Sequence, residues 1–456
     1  MTAAPGTQLG IGLDIGTSGC RVVAIDARRR RLAAAETRLP APVRGANGAV
    51  EQDPERWWEA TVTVLRELAV ALDRRTFDSA GGAALCVDAT SATLLLSQAD
   101  GTPLGPALMY NDSRARAVAA RIETVAAPAS AARGASSSLA KLLHLSEQYR
   151  HSAQAPTLAL HQADWIIGRL LGRFGDSDWN NALKLGFDPD ANTWPGWVKR
   201  ILPATISLPR VHPPGTKLGS LAPAMAERTG LSPKLALCAG TTDSTAAVIA
   251  TGAARPGDAV TSLGSTLVLK LVADRPVSAP EYGVYSQRLG ERWLVGGASN
   301  SGGAVLRQFF DDAQLCALSR SIDPNRESGL DYYPLPAAGE RFPIADPTQA
   351  PRLTPRPADD VSFLHGLLEG VARIERDGYT RLTELGAPPP RRVLTTGGGA
   401  GNPAWGQIRQ RLLGVPVTTA DHQDAAYGAA LLALRNANAG DNEPMQHEVP
   451  APARQR

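Results

Sequence analysis

The sequence predicts an α/β protein of two related domains, each a mixed sheet flanked by helices, with a cleft between them. Three observations predict it. The chain has 456 residues, too long for one ordinary core, and two domains of roughly 200 residues are the natural division. Within each half, short apolar runs alternate with helical patterns, as layered sheets and helices require. Early in each half the same unit occurs: an apolar strand, a turn of Gly, Ser and Thr, and another apolar strand. Such an echo indicates a duplicated fold. The expected division is 1–245 and 246–438, with a polar tail over 439–456 expected to be disordered.

Taken in order, Leu9 to Asp14, Cys20 to Asp26 and Leu32 to Glu36 read as three strands of an antiparallel meander. Arg28 to Arg31 form an exposed turn between the last two. Pro54 to Leu72 is an amphipathic helix, with Asp53 as its cap and Pro54 in its first position. Ala84 to Asp88 and Thr93 to Ser97 are strands around Ala89-Thr90-Ser91-Ala92. Helical character is expected in Ala119 to Ser138, Leu139 to Gln148 and Leu158 to Leu171, and a loop in Pro203 to Pro214. Leu235 to Ala239 is a strand leading into Gly240-Thr241-Thr242-Asp243-Ser244 and a helix. Ala259 to Leu263 and Leu267 to Val272 flank Gly264-Ser265-Thr266, and Val393-Leu394 precede Thr395 to Asn402 and a helix over Pro403 to Leu413.

Composition narrows the function classes. Hydrophobic residues make up 43% and charged residues 20%, with a net charge of +3. The scattered arginines form no nucleic-acid stripe, and no apolar run is long enough to span a membrane. Met1 to Gln8 lack the basic and apolar regions of a leader. The four cysteines are widely spaced, as in reduced core thiols of a cytoplasmic protein, and the seven histidines show no metal-binding pair.

Three glycine-bearing turns and one acid can carry chemistry. In Asp14-Ile15-Gly16-Thr17-Ser18-Gly19, backbone N–H groups can converge on an anion while Thr17 and Ser18 add hydroxyls. Asp14, at a strand end, can hold Mg²⁺ directly or through water. A plain hairpin explains the same residues, but the second turn, Gly264-Ser265-Thr266, favours two opposed turns around phosphates. No P-loop pattern exists to do that work. The cluster Gly397 to Gly401 permits close approach of a nucleoside, or is simply a flexible turn. Asp243 suits a helix cap, which its position alone favours, or a base accepting a hydroxyl proton.

Asp14 to Gly19, Gly240 to Ser244, Ser262 to Thr266 and Gly397 to Asn402 occur in an order and spacing that resemble the FGGY carbohydrate kinases of the actin and hexokinase superfamily. The resemblance runs from Leu9 to Ala433 and includes Gln52-Asp53-Pro54, Tyr110-Asn111-Asp112 and Gly339-Glu340-Arg341. Asp88 to Thr93, Gln162 to Trp165, Asn181 to Gly186, Gly296 to Asn300 and Ser328 to Pro334 look like the D-ribulose kinase branch. Glycines common in the first of these runs are Ala89 and Ala92 here.

The resemblance implies two actin-like (ribonuclease H-like) domains, with sugar on 1–245 and ATP on 246–438. It implies Asp243 as catalytic base and Asp14 bridging sugar and Mg²⁺ through water. Gly16, Thr17, Gly264 and Thr266 would meet phosphates; Gly397, Gly398 and Asn402 would face the nucleoside; Ser18, Gly19 and Ser91 would line the sugar site. The expected activity is ATP-dependent phosphorylation of D-ribulose by a cytoplasmic monomer or homodimer. D-xylulose or a polyol such as ribitol, or a non-catalytic sugar or nucleotide sensor, are the alternatives. At least one of Trp57 and Trp58 is expected in the core, and Trp405 either there or near adenine, the core being favoured.

Overall fold

The computed structural model describes residues 8–72, 82–149 and 156–438; the tail expected over 439–456 and most of the segment Met1 to Gln8 lie outside the described residues. The first sheet has six strands in the spatial order Lys217–Ser220, Ala236–Thr242, Ala83–Ala89, Leu9–Ile15, Gly19–Asp26, Arg31–Arg38. The last three form the expected antiparallel meander, while Leu9–Ile15, Ala83–Ala89 and Ala236–Thr242 run parallel.

The second six-stranded sheet repeats this plan. Its meander is Asp258–Leu263, Leu267–Ala273 and Arg292–Ser299, extended by Tyr285–Leu289. Arg392–Thr396 and Val417–Thr419 continue it in parallel. The duplication anticipated from two short turns thus extends over both sheets. A smaller sheet inserted in the first half pairs Leu94–Ser97 with Leu158–His161.

Helices cover these sheets by burying one face. On Pro54–Leu72 the residues Trp57, Thr61, Leu65, Leu68 and Leu72 recur at helical spacing and are buried against the first sheet. Asp53 Oδ1 accepts the Glu55 N–H at 3.0 Å, capping the first turn. On the second sheet, Asp360–Glu384 and Pro403–Leu413 do the same. The helix Ala425–Asn438 returns to the first sheet, packing through Ala426, Tyr427 and Ala430 on Val23 and Ile25. Glycines make that contact close: a Cβ on Gly12 would lie 1.9 Å from the Ala426 carbonyl oxygen, and one on Gly428 1.8 Å from that of Ala246.

Three local expectations are corrected. Leu158 to Leu171 is not one helix. Leu158–His161 is a strand, and the helix starts at Gln162, where the Asp164 carboxylate accepts the His161 N–H and marks the break. Within Ala119 to Ser138 only the end of the helix Arg116–Glu123 and Ser138, the start of the next helix, are helical, because Pro128 and Gly134 interrupt a run whose alanines supply propensity but no apolar face. Arg210–His212, inside the expected loop, pairs with Asp176–Asp178. Among the described residues no helix is long and apolar enough to cross a membrane. Cys20, Cys86 and Cys238 are buried free thiols, and Cys316 is exposed.

Candidate active site

Three adjacent parallel strands bring the acids together. Asp14 ends Leu9–Ile15 and stands directly opposite Asp88 on Ala83–Ala89. Asp88 in turn stands opposite Thr241, two residues before Asp243. As carboxylates, neither oxygen of Asp88 has a donor. Burial pushes both carboxyls up, and for Asp88 the neighbouring Asp14 and Asp243 charges add to the rise. Arg21 Nη1 approaches Asp14 Oδ2 at 3.4 Å and opposes that shift.

Asp243 is not the helix cap. The strand runs on through Thr242, which occupies the cap position, and Asp243 is the first residue of the helix Asp243–Ala250. Its Oδ1 accepts the Ser244 N–H at 2.6 Å. Burial pushes its carboxyl up to about 6, with Asp14 adding to the rise and Ser244, Lys184 and Lys270 opposing it. The side chain is therefore ionised in neutral solution, yet close to the pH at which it takes up a proton.

The two turns match in length and in their leading glycine. Gly16-Thr17-Ser18 links the first pair of strands and Gly264-Ser265-Thr266 the second; the exposed residue is Ser18, last in the first turn, and Ser265, the middle of the second. Gly16 N–H donates to the Gly19 carbonyl at 2.9 Å, so Gly16 shapes the turn rather than offering its amide to a ligand. Among the described residues the amides of Thr17 and Ser18, and those of Gly264, Ser265 and Thr266, have no acceptor. Gly19 is buried, already inside the second strand and opposite Arg38.

Gln52, unassigned from sequence, tethers the first turn. Its Nε2 donates to the Thr17 carbonyl at 3.0 Å and the Pro40 carbonyl at 2.8 Å, and Trp57 Nε1 fixes its Oε1 at 2.9 Å. That chain accounts for Gln52-Asp53-Pro54 ahead of the helix. The second turn is braced by Gly303 and Ala304, whose N–H groups donate to the Gly264 and Ser265 carbonyls at 2.8 and 3.1 Å.

The third cluster packs onto the second turn. Gly397, at φ 82°, would place a Cβ 2.8 Å from the Leu263 carbonyl oxygen, so only glycine fits there. Gly398 is exposed beside it. Asn402 differs from expectation: its Oδ1 caps Pro403–Leu413 through the Trp405 N–H and its Nδ2 donates to Ser319 Oγ at 2.8 Å. It positions the helix, and its amide is already committed. Trp57, Trp58 and Trp405 are core residues. Ser91 is half-buried in the turn that follows Asp88.

Two polar ties join the halves beside Asp243. Gln287 Nε2 donates to Thr242 Oγ1 at 2.9 Å while Lys270 Nζ donates to Gln287 Oε1 at 3.1 Å. Asn180 bridges Thr241 Oγ1 and the Arg288 backbone. A separate hollow of about 510 Å³, lined by Glu281, Asn300, Glu340 and Arg341, contains none of these residues. Among the described residues no cage of three or more acidic, His or Cys side chains assembles.

Residues 9–250 match the N-terminal domain of the FGGY family of carbohydrate kinases, and residues 259–437 match its C-terminal domain. The chain belongs to that family. This carbohydrate kinase, a phosphotransferase, is 28% identical to the xylulose kinase of Streptomyces coelicolor, over 94% of this chain and 88% of that one. It is 27% identical to the glycerol kinase of Gloeobacter violaceus, over 92% and 87%. The crystal structure of the xylulose kinase from Rhodospirillum rubrum superposes with a TM-score of 0.80 at 24% identity, covering 96% of this kinase and 91% of that chain. That likeness establishes the fold, the actin-like pair of domains.

Proposed function

We propose that the protein transfers the γ-phosphoryl group of ATP to a hydroxyl of a ketopentose, with D-ribulose as acceptor and D-ribulose 5-phosphate as product. The observation that carries this reading is the row of Asp14, Asp88 and Asp243 at neighbouring strand ends, beside a turn whose amides are free. Acids suit a polyhydroxyl acceptor, and free amides suit a phosphate.

In this reading Asp243 accepts the acceptor hydroxyl's proton as its oxygen attacks the γ-phosphorus. The amides of Thr17 and Ser18 from one half, and those of Gly264, Ser265 and Thr266 from the other, bind phosphate oxygens. Gly397 and Gly398 leave room for the nucleoside, and Asn402 holds the helix beneath it. Ser18, Gly19 and Ser91 border the sugar. Mg²⁺ keeps several waters and uses one or two carboxylates, which fits the Asp14 carboxyl without a full protein cage; bound with ATP, it would neutralise phosphate charge. Bringing the two halves together excludes water from the transfer.

D-ribulose rests on the runs Asp88 to Thr93 and Asn181 to Gly186. D-xylulose is the second reading, favoured by relatives named xylulose kinase. Purified protein with Mg·ATP and a panel of D-ribulose, D-xylulose, ribitol and glycerol, followed by ADP release, separates the two. The highest kcat/KM is expected on D-ribulose. A preference for D-xylulose would replace the acceptor, and sugar binding without turnover on any member would make the protein a sensor.

A further inference from the structure

The turn Ala89–Thr93, which carries Ser91, is shaped by an alanine where a glycine is the easy choice. The Thr93 N–H donates to the Thr90 carbonyl at 3.3 Å, closing a β-turn. Its third residue, Ala92, lies at φ 66° and is buried. That left-handed conformation strains any residue with a Cβ. Something must hold the turn in place.

Two helices grip it from different sides. Gln162, first residue of Gln162–Leu171, accepts from Thr90 N and Thr90 Oγ1 at 3.2 and 2.7 Å, and its own N–H donates to the Thr93 carbonyl. From Ser138–Gln148, Lys141 reaches over and donates from Nζ to the Ala92 carbonyl at 2.7 Å. The helices are joined at their starts, where His161 bridges Ser138 Oγ at 2.9 Å and Asp164 Oδ2 at 2.8 Å. All three of those side chains are buried, so this Ser-His-Asp arrangement is a weld rather than a hydrolytic centre.

Lys141 is costly where it stands. Its side chain has no exposed surface, and among the described residues no carboxylate lies within ion-pairing distance. Burial, with Lys184 adding and Asp112 opposing, pushes its ammonium down to about 7. A buried amine that meets a carbonyl and no acid is a poor stabiliser of a fold. The carbonyl it meets belongs to the one residue of the turn in a left-handed conformation.

We propose that Lys141 is a positioning residue for the sugar site: it holds the Ala92 carbonyl so that the Ala89–Thr93 turn keeps the shape that sets Ser91. This rests on the reading of Ser91 as a sugar-site residue, and it adds the reason an alanine is tolerated there. A glycine at 92 would adopt the same shape unaided and make Lys141 dispensable.

The test is a double-mutant cycle with Lys141→Met, Ala92→Gly and the pair, measuring sugar KM, Mg·ATP KM, kcat and melting temperature on the acceptor turned over best. Lys141→Met is expected to raise sugar KM at least about tenfold, the scale of a lost hydrogen bond from a charged group, with Mg·ATP KM unchanged. Adding Ala92→Gly is expected to restore most of the loss, while Ala92→Gly alone has little effect. If Lys141→Met does not yield folded protein, the double variant decides: sugar KM near that of the parent supports the proposal, and a large rise overturns it. Sugar and Mg·ATP KM rising together without rescue by glycine would reduce Lys141 to a packing residue. An unchanged sugar KM in Lys141→Met would also overturn it. Absence of turnover by the parent on every acceptor would instead remove the functional reading, and the proposal with it.

Discussion

The ends of the two sheets occupy equivalent places in a duplicated fold and carry opposite chemistry. In the first, Asp14 and Asp88 face each other across parallel strands. In the second, the matching pair is Ser262 and Thr396. The turns that follow the partner strands differ as well: Ala92 is strained at φ 66°, whereas Gly397 adopts φ 82° freely.

Buried charge is treated differently too. Beneath the second sheet Arg409 donates to both oxygens of Glu375 at 2.6 and 2.7 Å and to Thr395 Oγ1 at 2.7 Å, and Thr261 Oγ1 donates to Glu375. Glu340 accepts from Ser299 Oγ and from the Asn300 and Arg341 amides. In the first half Asp112 and Asp176 are likewise paired with arginines, but Asp88, at the strand ends, has no donor. The network beneath the second sheet is braced before anything binds, whereas Asp88 at the strand ends of the first stays without a partner. A hydroxyl-lined end also suits a polyphosphate, which a pair of acids would repel.

The largest effect should come from breaking the braced network. Arg409→Ala strands a buried carboxylate and is expected to lower unfolding free energy by about 3–5 kcal/mol. It would be read as a lower urea midpoint with turnover kept by the folded fraction. An unmoved midpoint would erase the contrast.

Next comes the acid of the other half. Asp243→Asn is expected to cut turnover by at least roughly a hundredfold without loss of melting temperature. Because the base must be ionised and burial raises its carboxyl to about 6, sugar kcat/KM should fall by about tenfold per pH unit below that value. It should be flat above it up to the next titration. A profile still flat at pH 5 would detach Asp243 from the chemistry.

The smallest effect is expected at the tether between core and turn. Gln52→Ala removes the donors to Thr17 and Pro40 and should cost about 1 kcal/mol of stability, together with a higher Mg·ATP KM. Loss of stability with an unaltered KM would make Gln52 a core residue alone.

Much of this was legible in the residues. The two turns and the flanking strands stand out because Gly, Ser and Thr interrupt apolar runs, and the echo between halves follows from that. Asp243 was legible as an acid at a strand–helix junction, although its pattern could not separate cap from base. The strand's continuation through Thr242 removes the cap reading. Asp88, Gln52 and Lys141 were not singled out, since each matters through a partner distant in sequence. Cross-strand register sets Asp88 against Asp14, and tertiary packing sets Lys141 against Ala92. The one available signal was alanine in a turn where glycine is common. The span Leu158 to Leu171 misled because the break at His161-Gln162 shows itself only through partners distant in sequence, Ser138 and Thr90.

The return of Ala425–Asn438 to the first sheet has a consequence for biosynthesis. The strand Leu9–Ile15 leaves the ribosome well before its partner helix, because the cover for Gly10 and Gly12 is made only after the whole second sheet. Until then the nascent first half presents an unfinished apolar face, a surface on which premature association can begin.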